Sequence, residues 1–578
     1  MYQDKYDNTM KKLYIILTAA GCFSLGSYAQ SAIDAYRFSQ PDLRGTARFM
    51  GMGGAFGALG GDLSSLSQNP AGIGVYRSNE LGFTLDLDAQ NAKSTAPGST
   101  MSTSQTKFYL DNIGGVATLR LGSSKVPNLN FGFTYNKGVS FNRRYKGYVP
   151  NINTSMSNYI AGLANGEELT VADVTSISGK YDPYNPTDGG LQAPWLAILG
   201  YDSYLINPNG DPDNPSWTGQ FGQGTIGSAN FDVQESGSVD EYNIAIGGNI
   251  ANVVYWGMNF DIVNLNYNLN ALYGESLSDA YVYNPSSQMI NQTNSKWGMR
   301  NLYSASGQGF NYQLGVIVKP VQELRFGLAF HTPTFYNITE TYSANTSMNA
   351  FGETVQASTN NGVPGSQSYN FNSPWKVIAS VAGVIGSKFI ISADYEWNGY
   401  KTMEYKEQNN YYYGVGDDWG WDYGWDFSAT RSAAPLAPKA VYDDAYHYEN
   451  QDIKDIYRST SSFRIGAEYR VTPNFSVRAG YSYVSSPVEA KAKNNDMTIY
   501  TSGTMPNYRF DNTTNYITAG LGYRTKGFYV DLAYVYKKMD SEYHAFTPDP
   551  GNTGGFTSPQ AKLGLTNNRI ILSAGLKF

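Results

Sequence analysis

Apolar and polar residues alternate one by one along many stretches of the chain, which is the pattern of β-strands whose two faces meet different surroundings. The clearest example is 129–136, where four apolar or aromatic residues alternate with Asn, Gly, Thr and Asn. Such stretches predict about fourteen strands, which begin near residues 80, 107, 128, 238, 252, 298, 322, 374, 387, 458, 473, 512, 526 and 567. The predicted fold class is therefore all-β.

The connections between these strands alternate between short and long. Tight turns are predicted at 122–127, around 251 and at 320–321, 386–388, 472–473 and 525–527. Long loops are predicted at 90–106, 140–237, 276–297, 344–373, 405–457, 487–511 and 540–566. Short turns on one side and long loops on the other are typical of outer-membrane β-barrels, whose two chain ends both lie in the periplasm.

The composition supports a barrel that crosses a membrane. Charged residues make up 15% of the chain, and it contains 48 Tyr and 61 Gly. Beyond the extreme N-terminus no apolar run is long enough for a spanning helix, so a chain of this kind can enter a membrane only as a closed barrel. The last strand, Arg569–Phe578, alternates and ends on Phe, which resembles the assembly signal of such barrels.

The two faces of each strand then have different roles. Arg or Lys would cost about 2–4 kcal/mol at the centre of a bilayer, so the polar faces should point into the lumen and the apolar faces to lipid. In the stretch 264–270 this places Leu265, Tyr267 and Leu269 against lipid and the asparagines inside. In the second strand Phe108, Leu110, Gly114 and Gly115 break the alternation, which predicts a β-bulge.

The N-terminus has the features of a secretion signal. Two lysines follow Met10, an apolar core follows them, and Ser27–Ala29 is a cleavage site before Gln30. We therefore assign residues 1–29 to a signal peptide, with residues 1–9 a spurious extension. The single cysteine, Cys22, lies inside this signal, so the mature chain should lack thiols.

Residues 30–78 do not alternate. Six glycines stand among small and apolar residues between Gly51 and Gly61. A barrel of about fourteen strands is too wide for side chains alone to fill, so we predict that this segment is a plug (hatch) that enters the lumen from the periplasmic end. A disordered tail is the alternative. Residues 79–578 form the predicted barrel domain.

Three short motifs in this part of the chain carry a resemblance to a known family. The segments Gly45–Arg48, Gly51–Ala55 and Asn69–Gly72 resemble the hatch of the FadL family of long-chain fatty acid transporters. The resemblance implies a fourteen-stranded barrel with an N-terminal hatch, import of hydrophobic molecules, and exit sideways through the wall. It also implies a role for the Asn-Pro-Ala motif, whose residues here are Asn69, Pro70 and Ala71; a turn without functional consequence is the alternative.

The long loops contain candidate binding residues. The loop 405–457 displays Trp419, Trp421, Tyr423 and Trp425, which could capture a hydrophobic ligand or form a hairpin with girdle aromatics. The stretch 207–215 is rich in Asn, Asp and Pro but lacks the calcium-loop spacing, so we predict a string of turns. The loop 140–237 is long enough to contact a protein partner.

Other chemistries find little support. His331, His447 and His544 are the three histidines, which is too few for a convincing zinc site, although one could ligate a haem. No nucleophile elbow or phosphate loop occurs, and a net charge of −7 argues against nucleic-acid binding. We expect no enzyme activity, no cofactor and no metal.

Charged residues of both signs fall on the predicted luminal faces, and mixed signs suit a network that holds the plug. They are Asp86, Asp88, Lys376, Asp394, Glu396, Arg464, Glu468, Arg470, Arg478, Arg524, Asp531 and Lys537. The sequence therefore predicts an outer-membrane importer of fatty-acid-like or aromatic molecules, in contact with lipid and lipopolysaccharide. A component or partner of a protein secretion system and a haem receptor are the alternatives.

Overall fold

The computed structural model describes residues 30–177, 180–186, 193–284, 286–287, 289–386, 388–407, 446–547 and 557–578. The predicted signal peptide, with Cys22, and the aromatic part of the 405–457 loop lie outside these residues.

Strands dominate the described chain. Their bounds are β1 Glu80–Ala96, β2 Ser99–Arg120, β3 Asn128–Ser140, β4 Arg143–Val149, β5 Ile206–Asp211, β6 Asn214–Gly219, β7 Ile226–Ile250, β8 Val254–Asn284, β9 Met289–Val321, β10 Leu324–His331, β11 Phe335–Ala350, β12 Glu353–Ser358, β13 Gly365–Asn372, β14 Lys376–Ile385, β15 Phe389–Asn398, β16 Glu404–Lys406, β17 Thr460–Arg470, β18 Phe475–Val484, β19 Tyr508–Arg524, β20 Phe528–His544 and β21 Gln560–Lys577.

Fourteen of these strands close into an antiparallel barrel. The order around the wall is β1-β2-β3-β7-β8-β9-β10-β14-β15-β17-β18-β19-β20-β21, and β21 pairs with β1 to complete the circle. The strands β4, β11, β12, β13 and β16 extend this wall at the end of the long loops, and β5 and β6 form a separate hairpin. The predicted fold class and strand number are confirmed.

Helices are short. The α-helices are α1 Ala32–Ser39, α2 Ala47–Gly51, α3 Met156–Gly166, α4 Val171–Val174, α5 Trp195–Asp202, α6 His447–Ile456 and α7 Ala490–Lys493, and the 3₁₀-helices are Leu63–Ser65, Pro70–Val75, Thr359–Gly362 and Tyr400–Thr402. Among the described residues, no helix is both long and apolar enough to cross a membrane.

The strand boundaries differ from the predicted ones mainly at one end of the barrel. At the end with the short turns, each barrel strand that starts there begins within two residues of its predicted start. At the other end, β2, β7, β9 and β21 begin seven to twelve residues earlier than predicted. The predicted loops 90–106 and 276–297 are therefore mostly strand, because the wall continues well beyond the stretch whose apolar face predicted membrane contact.

Side-chain polarity reverses along the extended strands, which corrects the assignment for 264–270. On β8, Met258 and Ile262 point outward, whereas Leu265 and Tyr267 are buried inside the barrel and Asn266 is exposed outside. The strict period of two is unchanged; the surroundings change, from lipid outside and polar lumen inside to water outside and an apolar core inside. Periodicity alone cannot tell which face is which.

Candidate functional site

Residues 30–79, named here the luminal segment, run through the inside of the barrel. At the long-loop end, the Gln30 amide lies 3.4 Å from Glu340 of the wall. At the short-turn end, the Arg77 guanidinium donates to Asn128 at 3.1 Å and also to Asn252 at a turn. The segment thus crosses the lumen from one end to the other, and Arg77 is the one residue of the segment that is exposed. The predicted entry from the short-turn end is wrong, because the structure places Gln30 toward the opposite end.

A buried cluster of two arginines and two aspartates joins the luminal segment to the wall. Arg44 of the segment contacts Asp111 at 2.6 Å and Asp86 at 3.3 Å. Arg569 of β21 contacts the same two carboxylates at 2.8 and 2.7 Å and donates to the Leu43 carbonyl at 2.8 Å. All four charged side chains are buried, so each charge depends on the others for compensation. We call these residues the Arg–Asp cluster.

A second set of ion pairs lies near the first. Arg48 of the segment contacts Glu468 at 3.0 Å, and Glu468 also binds Arg478 at 2.7 Å. Arg478 in turn contacts Asp531 at 2.5 Å. This series of ion pairs connects three wall strands, β17, β18 and β20, to the segment.

Asp394 holds the segment by accepting hydrogen bonds. Its Oδ2 accepts from the backbone N–H groups of Phe56 and Gly57 at 2.9 and 3.0 Å and from the Gln68 amide at 2.8 Å. Of the twelve predicted luminal charges, five make polar contacts with the luminal segment: Asp86, Asp88, Asp394, Glu468 and Lys537. Arg470 is exposed at the short-turn end instead.

The Asn-Pro-Ala motif begins the 3₁₀-helix Pro70–Val75. Asn69 is extended (φ −140°, ψ 104°), as a residue before proline prefers, and its Oδ1 accepts from the Ala71 N–H at 3.1 Å. Its Nδ2 donates to the Gly57 carbonyl at 2.6 Å and lies 3.5 Å from the Val316 carbonyl of the wall. One side chain therefore caps a helix, closes a loop of the segment and reaches β9.

Replacing Asn69 with alanine should destabilise the folded protein by about 1–3 kcal/mol, because buried polar groups lose their partners. The measurement is the free energy of unfolding in lipid bilayers or detergent. The control is Asn349→Ala, since the Asn349 amide is exposed and bonds only to Thr354 at 3.1 Å. Equal effects of the two substitutions would contradict the role assigned to Asn69.

Glycines of the wall mark where the backbone of the segment comes closest. A Cβ atom added at any of five wall glycines would lie closer than 3.0 Å to backbone or motif atoms of the segment, which real Cβ atoms essentially never do. These glycines are Gly257, Gly315, Gly327, Gly466 and Gly480. The fit of the segment in the lumen therefore requires the absence of side chains at these positions.

The lumen beside the segment contains a polar cavity of about 40 Å³. Gln40 and Asp42 of the segment and Arg143 and Lys537 of the wall are among its lining residues. Its volume suits a few water molecules and is far below the 300–1,000 Å³ typical of ligand pockets.

A much larger groove lies on the lipid-facing side of the wall. It encloses about 1,100 Å³ near the short-turn end of β20, β21, β1, β2 and β3. Its lining residues include Leu81, Phe83, Ile113, Phe131 and Phe133. The groove is thus apolar and opens to the membrane.

The wall is thin beneath this groove. A Cβ at Gly132 would meet the side chains of Ile73 and Leu66 of the luminal segment, and one at Gly82 would meet Leu63. These three residues form an apolar cluster with wall residues inside the barrel. Apolar surface therefore lies on both sides of a glycine-lined part of the wall.

The pairing of β2 is also irregular at this side of the barrel. Thr84 pairs with Asn112 and Leu85 with Leu110, so Asp111 is an extra residue, which agrees with the predicted bulge. The β2–β3 ladder covers only Asn112–Arg120. The bulge turns the side chain of Asp111 inward, into the Arg–Asp cluster.

Above the membrane part, the described residues 150–177, 180–186 and 193–222 build a compact cap whose core includes Met156, Ile160, Trp195 and Trp217. The stretch 207–215, predicted as turns, mostly belongs to the β5–β6 hairpin. Among the described residues no group of acidic, His or Cys side chains could hold a metal ion.

Glu275 of β8 connects the cap to the wall and makes its stability depend on pH. Its carboxylate accepts from the Ser155 hydroxyl at 2.5 Å and from the Met156 N–H at 2.9 Å, at the start of α3. Burial raises the pKa of Glu275 to about 7, above its usual value of 4.5, so the folded cap binds this proton more tightly than the unfolded chain. The contribution of protonated Glu275 to the stability of the folded cap is complete below pH 4.5 and is lost as pH rises through about 7.

We therefore expect the free energy of opening of α3 to fall by about 1–3 kcal/mol between pH 5 and pH 8. Amide hydrogen exchange in α3, corrected for intrinsic rates, measures this free energy and should become faster over the same range. Glu275→Gln should remove most of this pH dependence. An unchanged pH profile in that variant would assign the dependence to another group.

A family model described as "Outer membrane protein transport protein (OMPP1/FadL/TodX)" matches residues 238–548, which is more than half of the chain. The chain belongs to this family. The resemblance predicted from the hatch motifs is confirmed, although the matched residues lie outside those motifs.

Three solved structures are similar to the chain at low sequence identity. They are a Pseudomonas aeruginosa FadL homologue (12% identity, 93% of this chain and 99% of that chain covered, TM-score 0.49), the P. putida toluene transporter TodX (13%, 93% and 99%, 0.47) and the Ralstonia pickettii toluene transporter TbuX (12%, 93% and 98%, 0.43). No curated protein matches the chain.

Membership of the FadL family places the barrel in an outer membrane and makes it a transport protein. In such barrels the short turns face the periplasm and the long loops face outward. The luminal segment therefore has Arg77 toward the periplasm and Gln30 toward the outside.

Of the four members of the Arg–Asp cluster, the sequence predicted only Asp86 as a luminal charge. Arg44 immediately precedes the Gly45–Arg48 motif, and Asp111 lies in the stretch where alternation fails. Arg569 alternates correctly in the last strand, so its inward direction was predictable, but its partners were not.

The histidines lie in separate surroundings. The His331 ring, buried at the end of β10, lies 3.0 Å from the Gln68 carbonyl, and His544 is buried against Tyr508. His447 begins α6. Trp419, Trp421, Tyr423 and Trp425 lie outside the described residues, so their predicted role in ligand capture stays a prediction.

Proposed function

We propose that this FadL-family barrel imports hydrophobic small molecules, with the luminal segment as its plug and the thin wall of β1–β3 as the exit. The observation that carries the proposal is the contrast between the two cavities. The one beside the segment is polar and holds about 40 Å³, whereas the apolar groove of about 1,100 Å³ opens to lipid.

The contacts of the luminal segment support its role as a plug. It crosses the barrel from Gln30 to Arg77 and is held by buried ion pairs at Arg44 and Arg48. A water-soluble solute would have to displace these charged contacts to pass along the axis, and an unpaired buried charge is costly.

The sideways exit is supported by the apolar residues on both sides of the wall. Movement of Leu66 and Ile73 would uncover the wall at Gly132, directly behind the groove. A hydrophobic molecule that leaves there enters lipid without passing through water, which avoids the cost of hydrating apolar surface. We propose that the substrate is fatty-acid-like or aromatic. Identity to the FadL homologue and the toluene transporters is about 12–13%.

The first test is mass spectrometry of small molecules extracted from the purified full-length protein, prepared in a non-lipid detergent. We expect an apolar compound at a near-equal molar ratio to protein. An unrelated outer-membrane barrel, purified in parallel, controls for adherent lipid. A protein that is repeatedly empty under gentle extraction, and that retains a protein partner instead, would favour the secretion alternative.

Deleting residues 30–78 should convert a nearly silent barrel into a conducting one, because the lumen of a fourteen-stranded barrel is too wide for the remaining side chains to fill. Single-channel conductance in planar bilayers measures this. The folded state of the deletion variant is verified by its heat-dependent shift in gel mobility. A folded variant with unchanged conductance would contradict the plug.

A further inference from the structure

The outer surface of the barrel changes character above the lipid-facing belt on five neighbouring strands, β7, β8, β9, β11 and β13. Three rows of outward side chains cross these strands, and each row is fixed by the strand register. The rows are Asp240-Asn264-Gln308-Asn337-Asn370, Ser238-Asn266-Ser306-Thr339-Ser368 and Ser236-Asn268-Ser304-Thr341-Ser366. We call these fifteen residues the polar face.

The polar face consists almost wholly of uncharged amides and hydroxyls. Among its fifteen residues Asp240 alone is charged, and that carboxylate binds the Lys137 ammonium at 3.0 Å and the Tyr135 hydroxyl at 2.9 Å. Neighbouring side chains also contact each other, as Thr339 and Ser368 do at 2.7 Å. The surface therefore offers a dense array of hydrogen-bond donors and acceptors without net charge.

The position of the polar face limits what can cover it. The row directly below it on four of these strands is Tyr242-Ile262-Phe310-Phe335, and all four side chains are exposed and apolar or aromatic. Two residues along a strand span about 7 Å, so the first polar row lies that far above the last apolar one. The face is thus immersed in the layer just outside the hydrocarbon of the outer leaflet.

We propose that the polar face binds the neutral sugar units of outer-leaflet glycolipids. Asn, Gln, Ser and Thr side chains donate and accept hydrogen bonds, as sugar hydroxyls do. Phosphate groups, in contrast, are bound by Lys and Arg. The sugar-bearing part of a glycolipid begins where its acyl chains end, which is the level of the polar face.

The wall formed by β20, β21 and β1 has a different chemistry at a comparable height. Lys93, Lys538 and Lys562 are exposed on the outer face of these strands. Cationic side chains there suit the phosphates of the same lipids. The barrel therefore presents a charged side and an uncharged side to the same lipid layer. The charged side suits phosphates, and the uncharged side suits sugar hydroxyls.

A depression on the polar face supports a binding site. It holds about 360 Å³ and is lined by residues of the upper row, Asn268, Ser304 and Thr341, with Leu302 and Ser343 beside them. The three rows and five strands cover an area of about 13 by 19 Å. The site can therefore contact several sugar units at once.

The test uses native mass spectrometry of the purified full-length protein with two probes, lipopolysaccharide that carries its core oligosaccharide and lipid A alone. The variant Asn266→Val/Ser306→Val removes a pair of neighbours from the middle row while keeping residues that favour strands. The matched control is Asn91→Val/Thr566→Val, a cross-strand pair on β1 and β21 at a similar distance from the short turns.

We expect the face variant to retain about tenfold less oligosaccharide-bearing lipopolysaccharide than the wild type, since lost hydrogen bonds of this kind sum to about 1.4 kcal/mol. The control should retain as much as the wild type, and lipid A should bind all three proteins equally. Equal loss in the control, or no loss in the face variant, would overturn the proposal. A wild type that is dimeric and a face variant that is monomeric would assign the face to a second copy of the chain.

Discussion

Arg569→Met should lower the free energy of unfolding by about 3–5 kcal/mol, the range for removing one member of a buried ion pair. In the wild type Arg569 and Arg44 compensate Asp86 and Asp111. The substitution leaves two buried carboxylates with one guanidinium, and the Leu43 carbonyl loses a donor. Because Leu43 and Arg44 belong to the luminal segment, this variant should hold the segment less firmly. Channel openings should therefore be more frequent than in the wild type. Unfolding in denaturant and single-channel recordings measure the two effects.

Arg144→Met is the matched control. Arg144 binds Asp232 at 2.6 Å, but the pair is exposed on the outer surface, so its loss should change the free energy of unfolding by less than about 1 kcal/mol. Combining Arg569→Met with Asp86→Asn should restore part of the stability, since one unpaired charge is removed. Equal effects of Arg569→Met and Arg144→Met would show that the cluster does not hold the segment.

The double substitution Gly466→Val/Gly480→Val should open the barrel without disturbing the wall. Both glycines face the backbone of Met52 and Gly53, and an added Cβ would lie closer than 3.0 Å to those atoms. Backbone cannot rotate away as a side chain can, so the luminal segment must shift from its position. Each overpacked position typically costs 1–3 kcal/mol, and here the cost is relieved by displacing the segment. We expect conductance to rise toward that of the deletion variant.

Gly564→Val is the control for this pair. The nearest atom to an added Cβ at Gly564 is 3.9 Å away, so that substitution should leave conductance at the wild-type level. Valine favours strands at all three positions, which separates the clash from any effect on the wall itself. Silent channels in the double variant, with the barrel folded, would contradict the close packing of segment and wall.

The wall was predictable because a strand leaves a periodic trace in the sequence. Alternation predicted fourteen strands, and the short turns agree with the structure because glycine, proline and charged residues interrupt the pattern there. The outer extensions were missed for a physical reason: above Ile262 the inside of the barrel becomes apolar and the outside polar. The alternation of apolar and polar residues keeps its period of two through this reversal. The sequence alone therefore does not indicate at which level of the barrel the lipid ends.

The path of the luminal segment was not predictable in the same way. Its short helices and turns have no period, and its conformation depends on distant partners such as Asp394 and Glu468. Glycines indicated close packing but not against which strand. Asp111 illustrates the limit: the broken alternation predicted a bulge, yet only the folded barrel shows that the bulge delivers a carboxylate to Arg44.

The wild-type barrel should let hydrophobic molecules pass while it stays closed to water-soluble ones. The most direct measurement compares uptake of a radiolabelled fatty acid, a radiolabelled monoaromatic hydrocarbon and radiolabelled glucose by cells with an intact outer membrane, with and without this protein. We expect the wild type to raise uptake of at least one apolar compound and to leave glucose entry unchanged, whereas the variant lacking residues 30–78 should admit glucose. Equal increases for glucose and the apolar compounds in the wild type, or no increase for either apolar compound, would contradict this expectation.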